Sequence, residues 1–366
     1  MSIADNQFNP DYAVPPGWLL EITLEDNQFS QAEFARRCGR SPKLISEIIS
    51  GKAPIDTETA IQFERTTGIV AEIWNQMESN YRSHLALKKE ADIAENWQKS
   101  FPTNELVKRG FFTKPESKID AVSKLLKFFA VGSIVGWNNR YGDLSVLYRH
   151  SKSFGSDRVV LATWLRIGEI EADSQDCEDY DKSKFLEAAK NIRGLTRQPI
   201  EKNLKKIIKT CNEAGVAFVL TPPLPRISLS GTARWLTPRK AIIQVTGRHR
   251  TDDHFWFSFF HEVGHILLHS KKTVFTDELG NNAEELDSLE VEANEWASKF
   301  LIPSKNWDEL IKYSTYNQVV IKKFAREIGI APGIVVGMLQ HNKLIPWKRL
   351  NSLKQKIEIE KLIQFK

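Results

Sequence analysis

The feature that most constrains this chain is the segment His261-Glu262-Val263-Gly264-His265, which lies inside a long apolar run. Two histidines four positions apart on a helix lie one turn apart on the same face, so both imidazoles can reach one metal ion. Glu262 would lie beside the same ion. Asp252 and Asp253 are placed to begin this helix, and aromatic side chains follow them. The pattern predicts a buried helix that carries a metal site, because buried charge needs a partner.

The third ligand is expected on a second helix, over residues 286–303, because a catalytic zinc takes three protein ligands and leaves one position for water. Glu290 falls within the apolar stripe of that helix and Glu292 falls outside it, so Glu290 is the preferred ligand and Glu292 the alternative. Asn294, one turn further on, is a candidate for orienting a ligand. An acidic surface helix without a ligand would have a similar sequence. The stripe comprises Leu286, Leu289, Ala293, Ala297, Phe300 and Leu301.

If Zn²⁺ is bound, Glu262 is placed to act as the general base on water and later to pass the proton to a leaving amine. A donor to the developing oxyanion cannot be assigned from spacing. His249, His254 and His269 are candidates, although a structural or exposed role would explain each of them equally well.

The stretch from Trp235 to Pro303 resembles the ImmA/IrrE family of metallo-endopeptidases. The resemblance rests on the His261 to His269 segment, on residues 290–297, and on the following Leu301-Ile302-Pro303. It implies a zinc-dependent endopeptidase that cuts regulatory proteins such as repressors. One departure is Trp296, where the family commonly has Phe.

Residues 30–52 carry a second pattern. Ser30 is a helix cap with Glu33 three residues on, Gly39 ends that short helix, and Ser41-Pro42 begins the next one. Two short helices joined by a tight turn predict a helix-turn-helix.

The N-terminal region resembles the HigA-type branch of the Xre repressors, which are antitoxins that repress their own operons. The resemblance implies operator DNA as a partner, bound by a homodimer, because these domains read palindromic sites in pairs. Its DNA-contacting positions correspond here to Gln31, Ser41, Lys43, Leu44, Ser46, Glu47 and Lys52. The region is slightly acidic, so a helical interaction module without DNA binding is the alternative.

Length and composition predict an intracellular chain with more than one domain. The 366 residues are 41% hydrophobic and 27% charged, as in soluble proteins, and a net charge of +5 is too small to name a partner. The absence of a signal peptide and of a long apolar run predicts a cytoplasmic location without membrane insertion. Cys38, Cys177 and Cys211 lack metal-site spacing and are expected to be reduced thiols.

The predicted fold class is α+β and mainly helical. The expected domains are an all-α helix-turn-helix domain at 1–84, a helical connecting region of unknown role at 85–215, and a zincin-like metallopeptidase domain with a small sheet and a C-terminal helical cap at 216–366. Short apolar segments at 216–220 and 241–245 predict strands, since breakers bound both. The second strand is expected to be the sheet edge to which an extended substrate adds.

Two functions of different class are consistent with these patterns. In the first, a DNA-binding regulator carries a working zinc endopeptidase that cuts a partner such as a toxin or a repressor. In the second, an antitoxin-like repressor uses the peptidase fold to hold such a partner without turnover. Retention of Glu262 favours the first, because a binding role does not need a general base.

Overall fold

The computed structural model describes residues 13–142, 157–269 and 283–362. The chain divides into two compact units, the first comprising Met1–Ser100 with Lys114–Lys127 and the second Phe101–Thr113 with Phe128–Lys366. Neither unit boundary coincides with the predicted limits at residues 84 and 215, which stay predictions.

The first unit is helical around a small aromatic core. Phe63 lies at its centre, with ring centroids 5.1 Å from Phe34 and 5.4 Å from Trp74. The edge-to-face and tilted ring contacts stabilise the packing of three different helices. The helices are α1 (Pro16–Asp26), α2 (Gln31–Cys38), α3 (Pro42–Ile49), α4 (Thr57–Thr67), α5 (Ala71–Ile93), α6 (Glu95–Lys99) and the start of α8 (Lys118–Phe129).

Helices α2 and α3 form the helix-turn-helix arrangement that the sequence predicts. The Ser30 hydroxyl accepts a hydrogen bond from the Glu33 amide at 3.2 Å, and the Ser41 hydroxyl accepts one from the Leu44 amide at 3.1 Å. Each serine thereby satisfies an otherwise free donor in the first turn of its helix. Gly39 ends α2, and three residues separate the helices.

The second unit places helices on both faces of a small sheet. Its helices are α7 (Thr103–Lys108), the end of α8, α9 (Ile134–Tyr141), α10 (Arg158–Asp173), α11 (Lys182–Leu195), α12 (Ile200–Asn212), α13 (Asp252–Leu268), α14 (Ala283–Leu301), α15 (Ser304–Leu310), α16 (Gln318–Ile328), α17 (Pro332–His341) and α18 (Ile359–Leu362). A 3-10 turn lies at Asn351–Leu353.

In the described part of the chain the sheet has the order β1-β3-β2, with β1 at Val216–Leu220, β2 at Gly231–Thr237 and β3 at Lys240–Val245. β1 runs parallel to β3, whereas β2 runs antiparallel to it. Phe218 faces α13, where its ring centroid lies 5.1 Å from that of Phe259, and the opposite face packs against Ala172 of α10. The predicted α+β, mainly helical class is confirmed.

The prediction that β3 is the sheet edge is wrong. β3 pairs with β1 through Ala241 to Val245 and with β2 on its other side, so its backbone groups are engaged in both directions. The edge strand nearest α13 is β2, a segment that the sequence pattern did not predict as a strand. β2 was missed because it contains Gly231, Arg234 and only one long aliphatic side chain, Leu236.

The start of α13 is fastened to the C-terminal part of the chain by buried charge. The Lys354 ammonium lies 2.6 Å from the Asp253 carboxylate, and both side chains are almost fully buried. Asp252 accepts a hydrogen bond from the Gln355 amide at 2.9 Å. These contacts fix the first turn of the helix that carries the histidine pair.

Candidate metal centre

Helix α13 brings His261 and His265 together as their spacing predicts. Their Nε2 atoms lie 3.0 Å apart, and both side chains are mostly buried. The helix forms and stays buried because Phe255, Phe259 and Val263 pack into the main core of the unit. The opposite side of α13 can therefore carry the polar side chains of His261 and His265 close together.

Gly264 lets α14 approach that point closely. A Cβ at this position would lie 3.3 Å from the Trp296 ring and 3.4 Å from the Ala293 backbone, tighter than most side chains tolerate. Glu290 of α14 thereby reaches both histidines, with 3.3 Å from Oε2 to His261 Nε2 and 3.4 Å from Oε1 to His265 Nε2. Glu292, the alternative ligand, reaches neither of these nitrogens within the ion-pair distance.

Two imidazoles and one carboxylate are the donor set that a catalytic zinc takes. Among the described residues, His261, His265 and Glu290 form a cluster whose spacing suits a metal ion. Bonds of about 2.0–2.2 Å at tetrahedral angles need donor atoms about 3.3–3.6 Å apart. The observed separations of 3.0, 3.3 and 3.4 Å fit this with a small widening of the histidine pair. The three side chains therefore fit a zinc ion.

The electrostatics of the cluster match that chemistry. Burial raises the pKa of Glu290, but its hydrogen bonds to His261 and His265 outweigh burial and hold the pKa well below its usual range. Burial disfavours charged His261, yet the contact with Glu290 and the charge of Glu262 leave its pKa raised. Glu290 is thus held in its ionised form, and its negative charge favours a positive charge on the histidine side of the cluster.

Glu262 lies beside the cluster and between it and the sheet edge. Its side chain is buried, and its carboxylate accepts a hydrogen bond from the Ala233 amide of β2. Burial raises its pKa, opposed by the neighbouring His261 and His265. Gly231 provides the space, since a Cβ there would lie 2.9 Å from Glu262 Oε1. A carboxylate with a raised pKa at a metal site is suited to take up a proton near neutral pH.

Comparison with known proteins bears on this region. Residues 227–339 match the family model of the IrrE N-terminal-like domain, peptidase family M78. This part of the chain is therefore similar to the IrrE N-terminal-like domain. The match begins just before β2 and ends in α17, so it contains the histidine pair, Glu262 and Glu290.

No curated protein matched the chain. Among solved structures, one similar chain is an addiction module antidote protein of a HigA family from Coxiella burnetii, at 24% sequence identity. The likeness covers 23% of this chain and 91% of that chain, with a TM-score of 0.21. A score this low does not establish a common fold.

The remaining polar residues predicted near the IrrE-like site occupy different places. Asn294 lies beside His261 and is exposed; His261 Nδ1 has no hydrogen-bond partner among the described residues. His249 stacks on His254 with ring centroids 4.5 Å apart, at the opposite end of α13. His269, unlike His249 and His254, contacts a candidate ligand, because its Nδ1 lies 2.9 Å from His265 Nδ1. Sequence reasoning missed this contact, although His269 follows His265 by four residues and the spacing was visible.

The positions predicted to contact DNA lie outside the IrrE-like domain, in the first unit. Gln31 begins α2, Ser41 immediately precedes α3, and the others lie on or just after α3. Lys43 is 84% exposed and lies 3.8 Å from Glu47, while Ser46 and Lys52 are also exposed. Leu44 differs, because its side chain is half-buried against the core of the unit. The Ser41 hydroxyl is engaged as the cap of α3.

No helix in the described ranges is long and apolar enough to cross a membrane.

Proposed function

We propose that this protein is a DNA-binding regulator whose IrrE-like domain is a zinc-dependent endopeptidase that cuts a regulatory or partner protein. The observation that carries the proposal is the convergence of His261, His265 and Glu290 within 3.4 Å, with Glu262 beside them at a sheet edge. A general base and a metal donor set supply the chemistry of metal-assisted peptide-bond hydrolysis, and a strand edge can hold the extended peptide.

In this proposal His261 and His265 hold Zn²⁺ through their Nε2 atoms, and Glu290 holds it through its carboxylate. When bound, zinc supplies a Lewis acid that polarises the scissile carbonyl and acidifies water. Glu262 takes the proton from the attacking water on a carboxylate oxygen and then delivers it to the leaving amine.

The substrate is proposed to bind as an extended segment along β2. A strand edge offers backbone groups to a peptide, which adds as a further strand. The Ala233 amide already points toward Glu262, since it donates to that carboxylate. A peptide lying along β2 would therefore pass directly over the general base.

The first unit is proposed to bind operator DNA as a homodimer through α3. Ser41 and Lys43 lie at the N-terminal end of this helix, the part that enters the major groove in helix-turn-helix domains, and Ser46 lies at the middle of the helix. Gln31, Glu47 and Lys52 would contact flanking bases or phosphates. Half-buried Leu44 would present part of its side chain to a thymine methyl group.

The peptidase proposal is tested by comparing new protein N-termini in cells that produce the wild-type chain and the Glu262→Gln variant. Glu295→Gln is the matched control, because Glu295 is an exposed glutamate on α14 that pairs with Lys299. We expect cleavage products that depend on Glu262 and are unaffected by the control. Identical N-termini in all three cultures, from protein shown to hold zinc, would contradict turnover.

The second candidate function is partner binding without turnover. It is favoured by the burial of Glu262, 5% exposed, and by its hydrogen bond to the edge strand, since a working base must reach water. A partner that co-purifies uncut with both wild type and Glu262→Gln would support this alternative. Cleavage of the same partner by wild type alone would exclude it.

DNA binding is tested with the full chain and a duplex taken from upstream of its own gene. The Lys43→Glu, Lys52→Glu double variant is expected to weaken binding and to flatten the dependence of affinity on salt, by about 0.9 in logarithmic slope for each lost phosphate contact. Lys88→Glu with Lys89→Glu, exposed in α5, makes the same change in charge as a control. Equal losses in both double variants would contradict a role for α3.

A further inference from the structure

His269 and Glu292 form a chain of polar contacts that leads away from the candidate metal centre. His265 Nδ1 lies 2.9 Å from His269 Nδ1, and His269 Nε2 lies 3.4 Å from Glu292 Oε2. The His269 side chain is only 3% exposed, although the residue follows directly on the last residue of α13. A polar ring held this deeply at a helix end requires partners for its nitrogens.

The proton positions follow from the chemistry of neutral imidazole, which has one N–H donor and one acceptor nitrogen. If His265 uses Nε2 as a ligand, its proton is on Nδ1 and that group donates to His269 Nδ1. His269 then carries its own proton on Nε2, directed toward Glu292. The hydrogen bond from His265 to His269 therefore runs away from the metal, and Glu292 faces His269 Nε2 at ion-pair distance, outside hydrogen-bond geometry.

We infer that His269, assisted by Glu292, is a positioning residue that fixes the tautomer and ring orientation of His265 for metal binding. The inference rests on the proposed function, because it assumes that His265 is a ligand. A hydrogen bond to the second nitrogen of a ligating histidine orients the ring and makes it a stronger donor.

The same helix supplies a contrast. His261 Nδ1 is buried without a hydrogen-bond partner in the described part of the chain, whereas His265 Nδ1 has His269. A backbone hydrogen bond also joins these two residues, since the His269 amide donates to the His265 carbonyl at 3.2 Å. His265 Nδ1 thus has a buried hydrogen-bond partner, whereas Asn294, which lies beside His261, is exposed.

Glu292 has a weaker part in this arrangement. Its side chain is 63% exposed, so solvent screens its interaction with His269. Although Glu290 and Glu292 are close in sequence, Glu290 approaches the two nitrogens of the candidate ligands and Glu292 approaches the outer histidine. We therefore expect substitution of Glu292 to have a smaller effect than substitution of His269.

The test is the affinity of the purified full-length protein for Zn²⁺, measured by competition with a chromophoric chelator. His269→Phe keeps the ring but removes the acceptor, and we expect it to bind zinc about 10–100-fold more weakly. His269→Asn places an amide oxygen near the former Nδ1, so its affinity should return close to the wild-type value. His254→Phe, on the same helix, should bind zinc as the wild type does.

The outcomes separate this inference from the proposed function. A wild-type chain without zinc affinity would overturn both. Tight binding by wild type and equally tight binding by His269→Phe would overturn only the role of His269. If His269→Phe fails to fold, as judged by circular dichroism, the His269→Asn and Glu292→Ala variants test the role of His269 instead. Loss of affinity in His269→Asn as severe as in a ligand variant would contradict the assigned hydrogen bond, and a modest loss in Glu292→Ala would support the chain.

Discussion

Gly231 of the edge strand lies directly against the carboxylate of Glu262. A Cβ added at Gly231 would lie 2.9 Å from Glu262 Oε1 and 3.1 Å from its Cγ. Real side chains essentially never approach so closely, so the absence of a side chain at 231 is what allows the proposed general base to lie beside β2. The position of the Glu262 carboxylate beside β2 therefore depends on glycine at position 231.

Substitution Gly231→Ala should displace Glu262 without touching the proposed metal ligands. We expect Glu262-dependent cleavage to slow by about 10–100-fold, because an error of about 1 Å in the position of a reacting group costs this much. Zinc content, measured by mass spectrometry, should be unchanged. Gly194→Ala is the control, since a Cβ there would meet nothing within 4 Å. Loss of zinc from Gly231→Ala would show that the glycine serves the fold rather than the base.

Arg193 is expected to stabilise the second unit by binding the ends of two helices. Its guanidinium donates to the Leu301 carbonyl at 2.7 Å and to the Ile328 carbonyl at 2.9 Å, at the C-termini of α14 and α16. Arg193→Met should lower the free energy of unfolding by about 2–4 kcal/mol, as charged hydrogen bonds contribute about 1.5–3 kcal/mol each. Arg197→Met, at a more exposed arginine, should change little. Urea unfolding followed by tryptophan fluorescence checks this, and equal effects of the two variants would contradict it.

Asp252 should make folding stability depend on pH. Burial, together with Asp253, raises the pKa of Asp252 to about 7 despite a hydrogen bond from the Gln355 amide. The unfolded value is about 3.9, so between these values the folded protein keeps a proton that the unfolded chain has lost. Stability should therefore fall as the pH rises from about 4 to about 7, by up to roughly 1.4 kcal/mol per pH unit.

The Asp252→Asn variant isolates that contribution, because an amide does not titrate in this range. Its urea midpoint should change less between about pH 5 and about pH 7 than the midpoint of the wild type. Asp308→Asn, at an exposed aspartate, serves as the control. If the urea midpoint depends on pH equally in wild type and Asp252→Asn, other groups cause that dependence and the prediction is wrong.

The parts of the fold that the sequence could predict are those determined by local spacing. The histidine pair, the serine caps of α2 and α3, and the two strands β1 and β3 depend on residues close together in the chain. β1 occupies 216–220, the predicted range, because five consecutive apolar residues there are buried. Helix periodicity also favoured Glu290 over Glu292, and Glu290 is the one that lies against both histidines.

Features that depend on distant residues could not be predicted in the same way. The order β1-β3-β2 is set by pairing across the sheet, and nothing local to residues 241–245 shows that both of their edges are occupied. The Asp253 to Lys354 contact joins residues far apart in sequence. The pairing of His269 with His265 was visible as a spacing, but its meaning required the burial of the ring at the end of α13.

The most direct test of the proposed zinc centre is the metal content of the purified chain, measured by mass spectrometry for wild type, His261→Ala, Glu290→Ala and Glu292→Ala. We expect about one zinc per wild-type chain. Zinc should be lost in the His261 and Glu290 variants and retained in the Glu292 variant. Wild-type protein without metal, or loss of zinc from Glu292→Ala but not from Glu290→Ala, would contradict the proposed centre.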